Sequence, residues 1–183
     1  MMSDPTIGLA VPLCNSASNG QAIQVDYVSI SEMQRFALNF NHSDKMKWHQ
    51  RARLFAIVGL FRRSVFEQVG LMNSLEFSYN MFADDDMCMR IKRAGFKMIL
   101  CRDTFIHHYG SATIKDEQCQ VMEKGRQQFF DKYGFDSWYA LNDQAQNVVM
   151  QYVTTMPCEG VKNILAVDPL YGEECLMLKN YLV

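Results

Sequence analysis

Three consecutive aspartates, Asp84, Asp85 and Asp86, stand directly ahead of the segment Met87 to Ala94, and this junction constrains the fold most. Adjacent carboxylates repel one another and prefer water unless a cation or a helix start holds them. The unpaired N–H groups and the dipole at a helix N-terminus do so. Met87, Ile91 and Ala94 recur at i, i+4 and i+7, which gives the segment one apolar face, and Gly95 is placed to stop it. Asp86 and Arg90, four apart, can pair along the helix. The plain reading is capping, but one cap needs one carboxylate. The surplus acids, with His107 and His108 one short hairpin downstream, make this junction the candidate site.

Around it the chain alternates short apolar runs with helical patterns. Ile7 to Val11 reads as a buried strand ended by Pro12, and Gln21 to Val28 as a weakly alternating second strand. Ser29 and Glu32 form a capping-box pattern ahead of Met33, Phe36, Ala37 and Phe40 at helical spacing. His42 to Arg53 is polar and basic, so it reads as a helix end and loop, with His42 and His49 as surface residues. Leu54 to Phe61 reads as a buried central strand, followed by Arg62, Arg63 and a short helix closed by Gly70. Two arginines at a strand's carboxyl end would hold a phosphate or carboxylate, or else lie solvated on the surface.

Beyond the central helix, Phe96 to Cys101 and Thr104 to Tyr109 read as two strands. Lys115 to Tyr133 reads as a helix with Cys119, Met122, Arg126 and Phe129 or Phe130 on one face, ended by Gly134. A second helix is expected from Asp136 towards Val153, with Trp138, Leu141, Ala145, Val148 and Tyr152 as its apolar stripe. Met156 to Gly160 breaks the pattern. A strand at Ile164–Asp168, a turn and a helix from Glu173 to Leu182 follow. The fold class is therefore α/β: residues 1–155 form one body, and 156–183 a linker plus a β–turn–α unit. That unit either docks on the main body or begins a following Rossmann-like domain.

Composition narrows the function classes. A net charge of -2 and a pI near 6.1 give no reason to expect nucleic acid or an anionic membrane as partner. The six cysteines are scattered without a C-x-x-C pair, which argues against a zinc knuckle and a disulfide-stapled fold. No apolar run reaches the roughly 18 residues that span a bilayer, and Met1 to Pro5 lacks the features of a signal peptide. A cytoplasmic location is expected.

The ordered series from Leu54 to Thr113 resembles the acceptor-side half of family 2 glycosyltransferases, which have the GT-A fold. The series comprises an apolar run, Arg62-Arg63, Val65 to Gly70, the acidic cluster, Arg90 to Phe96, then His107-His108-Tyr109-Gly110-Ser111. Ile7 to Pro12 with Asn15 is similar to the stretch just after that family's nucleotide-binding half. The likeness covers about residues 5 to 135. It implies a partial GT-A mixed sheet flanked by helices, with a C-terminal helical pair.

The resemblance also implies an inverting transfer from a nucleoside-diphosphate sugar to the hydroxyl of a glycan or other acceptor. Asp84, six residues before Arg90, takes the position of the base. Arg90 registers that position and Asp86 takes the next family acid; with Arg62 and Arg63, read above from their place after the strand, they are the expected substrate-binding residues. His108, with His107 as fallback, falls where the family helps bind Mn²⁺ or Mg²⁺ on the donor diphosphate, so the metal is expected with nucleotide-sugar bound. Two positions depart from the pattern: Ala83 stands where the family has Glu, and Asn73 where it has an acid. Asp84-Asp85-Asp86 contains an Asp-x-Asp, but it leads into a helix rather than closing an apolar strand, so that metal register is rejected. No stretch upstream of Ile7 supplies the nucleotide-binding half. The chain alone is therefore expected to be inactive, with a non-catalytic glycan- or partner-binding remnant as the alternative. A metal-dependent hydrolase using the aspartates and histidines is the third reading, against which the order of elements speaks.

Overall fold

The structure is a computed structural model describing residues 3–77, 81–110, 118–137 and 172–182. Its centre is a four-stranded mixed sheet in the order β2-β4-β1-β3, formed by β1 (Ile7–Cys14), β2 (Trp48–Arg51), β3 (Leu60–Phe61) and β4 (Lys97–Ile106). β1 and β4 run parallel in the middle, and β2 and β3 lie antiparallel at the edges. Helices α1 (Ile30–Phe40), α2 (Arg63–Val69), α3 (Ala83–Arg93), α4 (Gln118–Tyr133) and α5 (Glu173–Leu182) complete the described α/β body. None of these helices is long and apolar enough to cross a membrane.

The core explains why α3 holds its place. Leu9, Val11 and Leu13 alternate along β1, Met98 and Leu100 face them from β4, and Met87, Cys88 and Ile91 of α3 cover the pair. Leu9 and Ile91 are completely buried, and each such side chain contributes about 1.5–3 kcal/mol. The expected apolar face of α3 lies against the sheet, and Gly95 (φ 83°) ends the helix. α1 begins as its pattern requires: Ser29 accepts the Glu32 N–H while Glu32 accepts that of Ser29.

Several sequence expectations give way. β1 does not stop at Pro12 but runs on to Cys14, because Pro12 lies at a register shift where β4 loops out between Cys101 and Phe105. Proline is tolerated where the ladder is already interrupted. Phe96 to Tyr109 contributes one strand, β4, instead of two. Gln21 to Val28 forms only a bridge at Ala22, and His42 to Arg53 is not all loop, since Trp48 to Arg51 pairs along β4 as β2.

The largest correction falls on Leu54 to Phe61, where only Leu60 and Phe61 join the sheet, at its edge. Side chains have taken the backbone groups that a ladder would use. Gln21 donates to the Phe55 carbonyl and accepts the Phe55 N–H, at 2.9 and 2.6 Å, while Cys88 Sγ bonds both the N–H and the carbonyl of Leu54 at 3.4 Å. The expected helix towards Val153, the linker and the strand at 164–168 lie outside the described residues. α5 packs on β2, where Asn180 Nδ2 donates to the Gln50 carbonyl at 2.8 Å.

A second core cluster, with Phe77, Phe82, Ala83, Met89 and Phe129, joins α4 to the start of α3. Phe82 there is left-handed (φ 66°, ψ 3°), a conformation that costs a bulky residue on the order of 1–3 kcal/mol. Gly125 of α4 lets the two elements close on this corner. A Cβ there would lie 2.8 Å from the Met81 carbonyl oxygen and 2.9 Å from Phe82 Cδ2. Alanine improves helix propensity by up to about 1 kcal/mol, but a clash with backbone forces α4 to shift. Gly125→Ala should therefore destabilise, by about 1–2 kcal/mol net. Urea denaturation reads this directly, and unchanged stability would mean that α4 does not clamp the corner.

Candidate functional site

α3 ends at the Gly95 turn, which leads at once into β4, so it runs antiparallel to β4. Its first turn thus points to the carboxyl-terminal end of the β1/β4 pair, the edge where ligands of parallel sheets gather. The loop Asn15–Gly20 leaves β1 at this end and reaches both halves of the candidate site. Asn19 Oδ1 accepts from Arg53 at 3.0 Å, and the Ser16 carbonyl meets His108 Nδ1 at 2.8 Å.

The three aspartates lie within the first turn of α3 rather than at its cap, which is Phe82. Their fates differ. Asp86 is completely buried and accepts from Arg90 Nε (2.8 Å), Lys132 Nζ (2.9 Å) and the Tyr133 hydroxyl (2.6 Å). Burial raises the Asp86 carboxyl, but the bonds from Lys132 and Tyr133 and the charges of Arg90 and Lys132 outweigh it and hold it low. Asp85 is buried against Arg53 Nε in an ion pair. Asp84 alone keeps part of its surface in solvent, and its Oδ1 accepts the Asp85 N–H at 3.1 Å.

Protein atoms nonetheless crowd the Asp84 carboxyl and push it up to about 7. Burial is the first cause and the Asp85 charge the second, with Arg53 pulling the other way. Cys88, one turn along, is driven well above its ordinary value by burial and serves the Leu54 backbone as donor and acceptor.

This sets a pH signature. From the ordinary value of 3.8 up to about 7 the folded chain binds a proton on Asp84 that the unfolded chain has released. Stability is therefore highest below that window, falls as pH rises through it, and levels off above. Asp84→Asn carries no charge to bury and should gain stability relative to the parent as pH rises from about 4 to about 8. Denaturation at the two ends measures the difference; a constant gap would show that Asp84 titrates as in water.

The histidines separate. His108 hydrogen-bonds the Ser16 carbonyl through Nδ1, and its backbone is fixed from both sides by Asn15, which accepts its N–H at 2.7 Å and donates to its carbonyl at 3.0 Å. A carbonyl can only accept, so Nδ1 of the neutral ring carries the proton and Nε2 keeps a lone pair for a ligand. His107 bonds the Tyr27 hydroxyl through Nδ1 at 2.6 Å and packs edge-on against Tyr109. Among the described residues, no three His, Cys, Asp or Glu side chains cluster to hold a metal by themselves. His108 suits one position in a shell completed by phosphate oxygens and water.

The remaining expected residues lie elsewhere. Because β3 is antiparallel to β1, its carboxyl end lies at the other end of the sheet, and Arg62 and Arg63 follow it there. Arg62 bonds the Ile7 and Asp4 carbonyls at 3.0 and 2.9 Å, and Arg63 pairs with Glu67 on the surface. Arg90, besides pairing with Asp86, donates to the carbonyls of Val69 and Leu71, closing the end of α2. Asn73 bonds Glu76 within its own loop, and Ala83 is completely buried.

Arg53, Asn19 and Glu173 are the groups at the site that the sequence did not single out. Arg53 belongs to a stretch whose charge reads as loop, and its partner is 32 positions away. No family model matches this chain, and no curated protein or solved structure matches it either.

Proposed function

We propose that the chain is the acceptor-side portion of a family 2 glycosyltransferase with the GT-A fold, acting within a longer parent. The reaction would be inverting transfer of a sugar from a nucleoside-diphosphate sugar to an acceptor hydroxyl. The observation that carries this reading is the state of Asp84: partly open to solvent, raised to about 7, and held on a well-anchored helix at the ligand-gathering edge. A carboxylate whose value lies near the working pH is both ionised and basic enough to take a proton.

In the step itself, the acceptor oxygen attacks the anomeric carbon from the face opposite the diphosphate, which leaves with the electron pair of the broken C–O bond. Asp84 takes the acceptor's proton as that oxygen bonds. The Arg53–Asp85 pair beside it engages the neighbouring carboxylate, which leaves Asp84 as the acid of the three that reaches solvent. Nε2 of His108 would help hold Mn²⁺ or Mg²⁺, which when bound neutralises charge on the leaving diphosphate. Asp86 and Arg90 act from behind, fixing the helix that carries the base. Arg62 and Arg63 have no part in this assignment.

The test is release of nucleoside diphosphate by the full-length parent, with Mn²⁺, a panel of nucleoside-diphosphate sugars and glycan acceptors. Acceptor-dependent release supports the reading, and none with any pair rejects it. Buried Ala83 at the family's glutamate position and Asn73, bonded to Glu76 within its own loop, favour the second reading, a glycan- or partner-binding remnant. Glycan binding without turnover would identify it.

A further inference from the structure

Glu173 opens α5, yet its side chain is completely buried at the 51–53 segment. One carboxylate oxygen meets Arg51 Nε, and the other accepts the N–H groups of Ala52 at 2.5 Å and Arg53 at 3.3 Å. A simple ion pair would engage the guanidinium alone. Here one carboxylate also fixes two successive peptide groups, including the one from which the Arg53 side chain reaches Asp85.

The two arginines also meet on Asn19: Arg51 donates to its carbonyl at 2.8 Å and Arg53 to its Oδ1 at 3.0 Å. Asp85 in turn donates its N–H to Asp84. A continuous line of contacts thus runs from the terminal helix to Asp84. The ionisable groups facing Asp84 are Asp85, Arg53 and the Cys88 thiol. Arg51 faces Glu173, while Lys92 of α3 lies near Gly172 and Cys175 at the start of α5.

We propose that Glu173 is a positioning residue for Asp84, holding Arg53 on Asp85 through the backbone of residues 51–53 and balancing the charge of Arg51. The proposal rests on the reading of Asp84 as the base, but its test needs no turnover. Asp84 is titrated in the whole chain by carboxyl carbon NMR, its resonance assigned by comparison with Asp84→Asn. Glu173→Gln keeps the size and removes the charge. Its amide presents a donor to Arg51 or to the backbone N–H groups, so the clasp opens, Arg53 no longer lowers Asp84 from its place on Asp85, and the midpoint should rise by roughly 0.5–1 unit.

Asn180→Ala loosens α5 at Gln50 without altering charge and should leave the midpoint in place. If Glu173→Gln does not fold, Arg51→Gln opens the same clasp from its other side and should raise the midpoint by a similar amount. An unmoved midpoint in a folded charge variant, or an equal shift in Asn180→Ala, overturns the proposal. Undiminished transfer by Asp84→Asn would instead remove the base assignment and leave the titration result standing, so the two failures can be told apart.

Discussion

Asp84→Asn in the full-length parent should lower kcat for glycosyl transfer by about 10²- to 10⁴-fold, the usual contribution of a positioned base. Asparagine reproduces the shape of the side chain, and its oxygen can still accept the Asp85 N–H that Asp84 now accepts. What it cannot do is take the acceptor's proton. The fold should be retained, with stability equal to or above the parent's at neutral pH, because a crowded carboxylate has been replaced by a neutral group. The parent's kcat should rise with pH through about 7, where Asp84 ionises, and that limb should vanish from the variant's profile. Transfer at the parental rate by a folded Asp84→Asn would place the base elsewhere.

Asp86→Ala should have the largest effect on stability. Arg90, Lys132 and Tyr133 all converge on this one buried carboxylate, and alanine would take it from half-buried Arg90 and Tyr133 and from exposed Lys132, which keeps Glu76. The partners stay partly hydrated, so the loss is about 1.5–3 kcal/mol, the worth of hydrogen bonds to a charged group, still a large share of the roughly 5–15 kcal/mol that holds a domain together. Because Arg90 also closes α2, the loss should loosen both helices.

The sign with pH is opposite to that of Asp84. The Asp86 carboxyl is held below its ordinary 3.8, so its contribution is full above that value and is lost as pH falls through the lower, folded value. The deficit of Asp86→Ala should shrink in acid. Denaturation at neutral and at strongly acid pH tests this; a deficit independent of pH would mean that the carboxylate charge is not what binds the three partners.

How much of this was legible in the sequence depended on the distance over which each feature is decided. The start of α1 and the face and end of α3 are set within a turn or two by capping, spacing and a glycine, and these were readable; the start of α3 at Ala83, capped by left-handed Phe82, was not. Leu54 to Phe61 was not, because its fate was decided by Gln21 and Cys88, each more than 30 positions away. Arg62 and Arg63 were assigned to the wrong end of the sheet, since the sequence does not tell whether the strand before them is central and parallel or a short antiparallel edge.

For the candidate site, the junction at Asp84 was visible, whereas the division of labour among the three acids was not. One helical turn points Asp86 inward, Asp85 at an arginine and Asp84 partly outward. That choice is fixed by Arg53 and Tyr133, which carry no mark in their local pattern.

The clasp between Glu173 and Arg51 joins groups 122 positions apart. During synthesis, β2 and the segment after it leave the ribosome long before their counter-ion has been made. A nascent chain stalled short of α5 would present a basic strap in place of a finished wall. The charge balance around Asp84 is therefore complete only once residue 173 has been made, and products truncated before it should differ in charge distribution as well as in size.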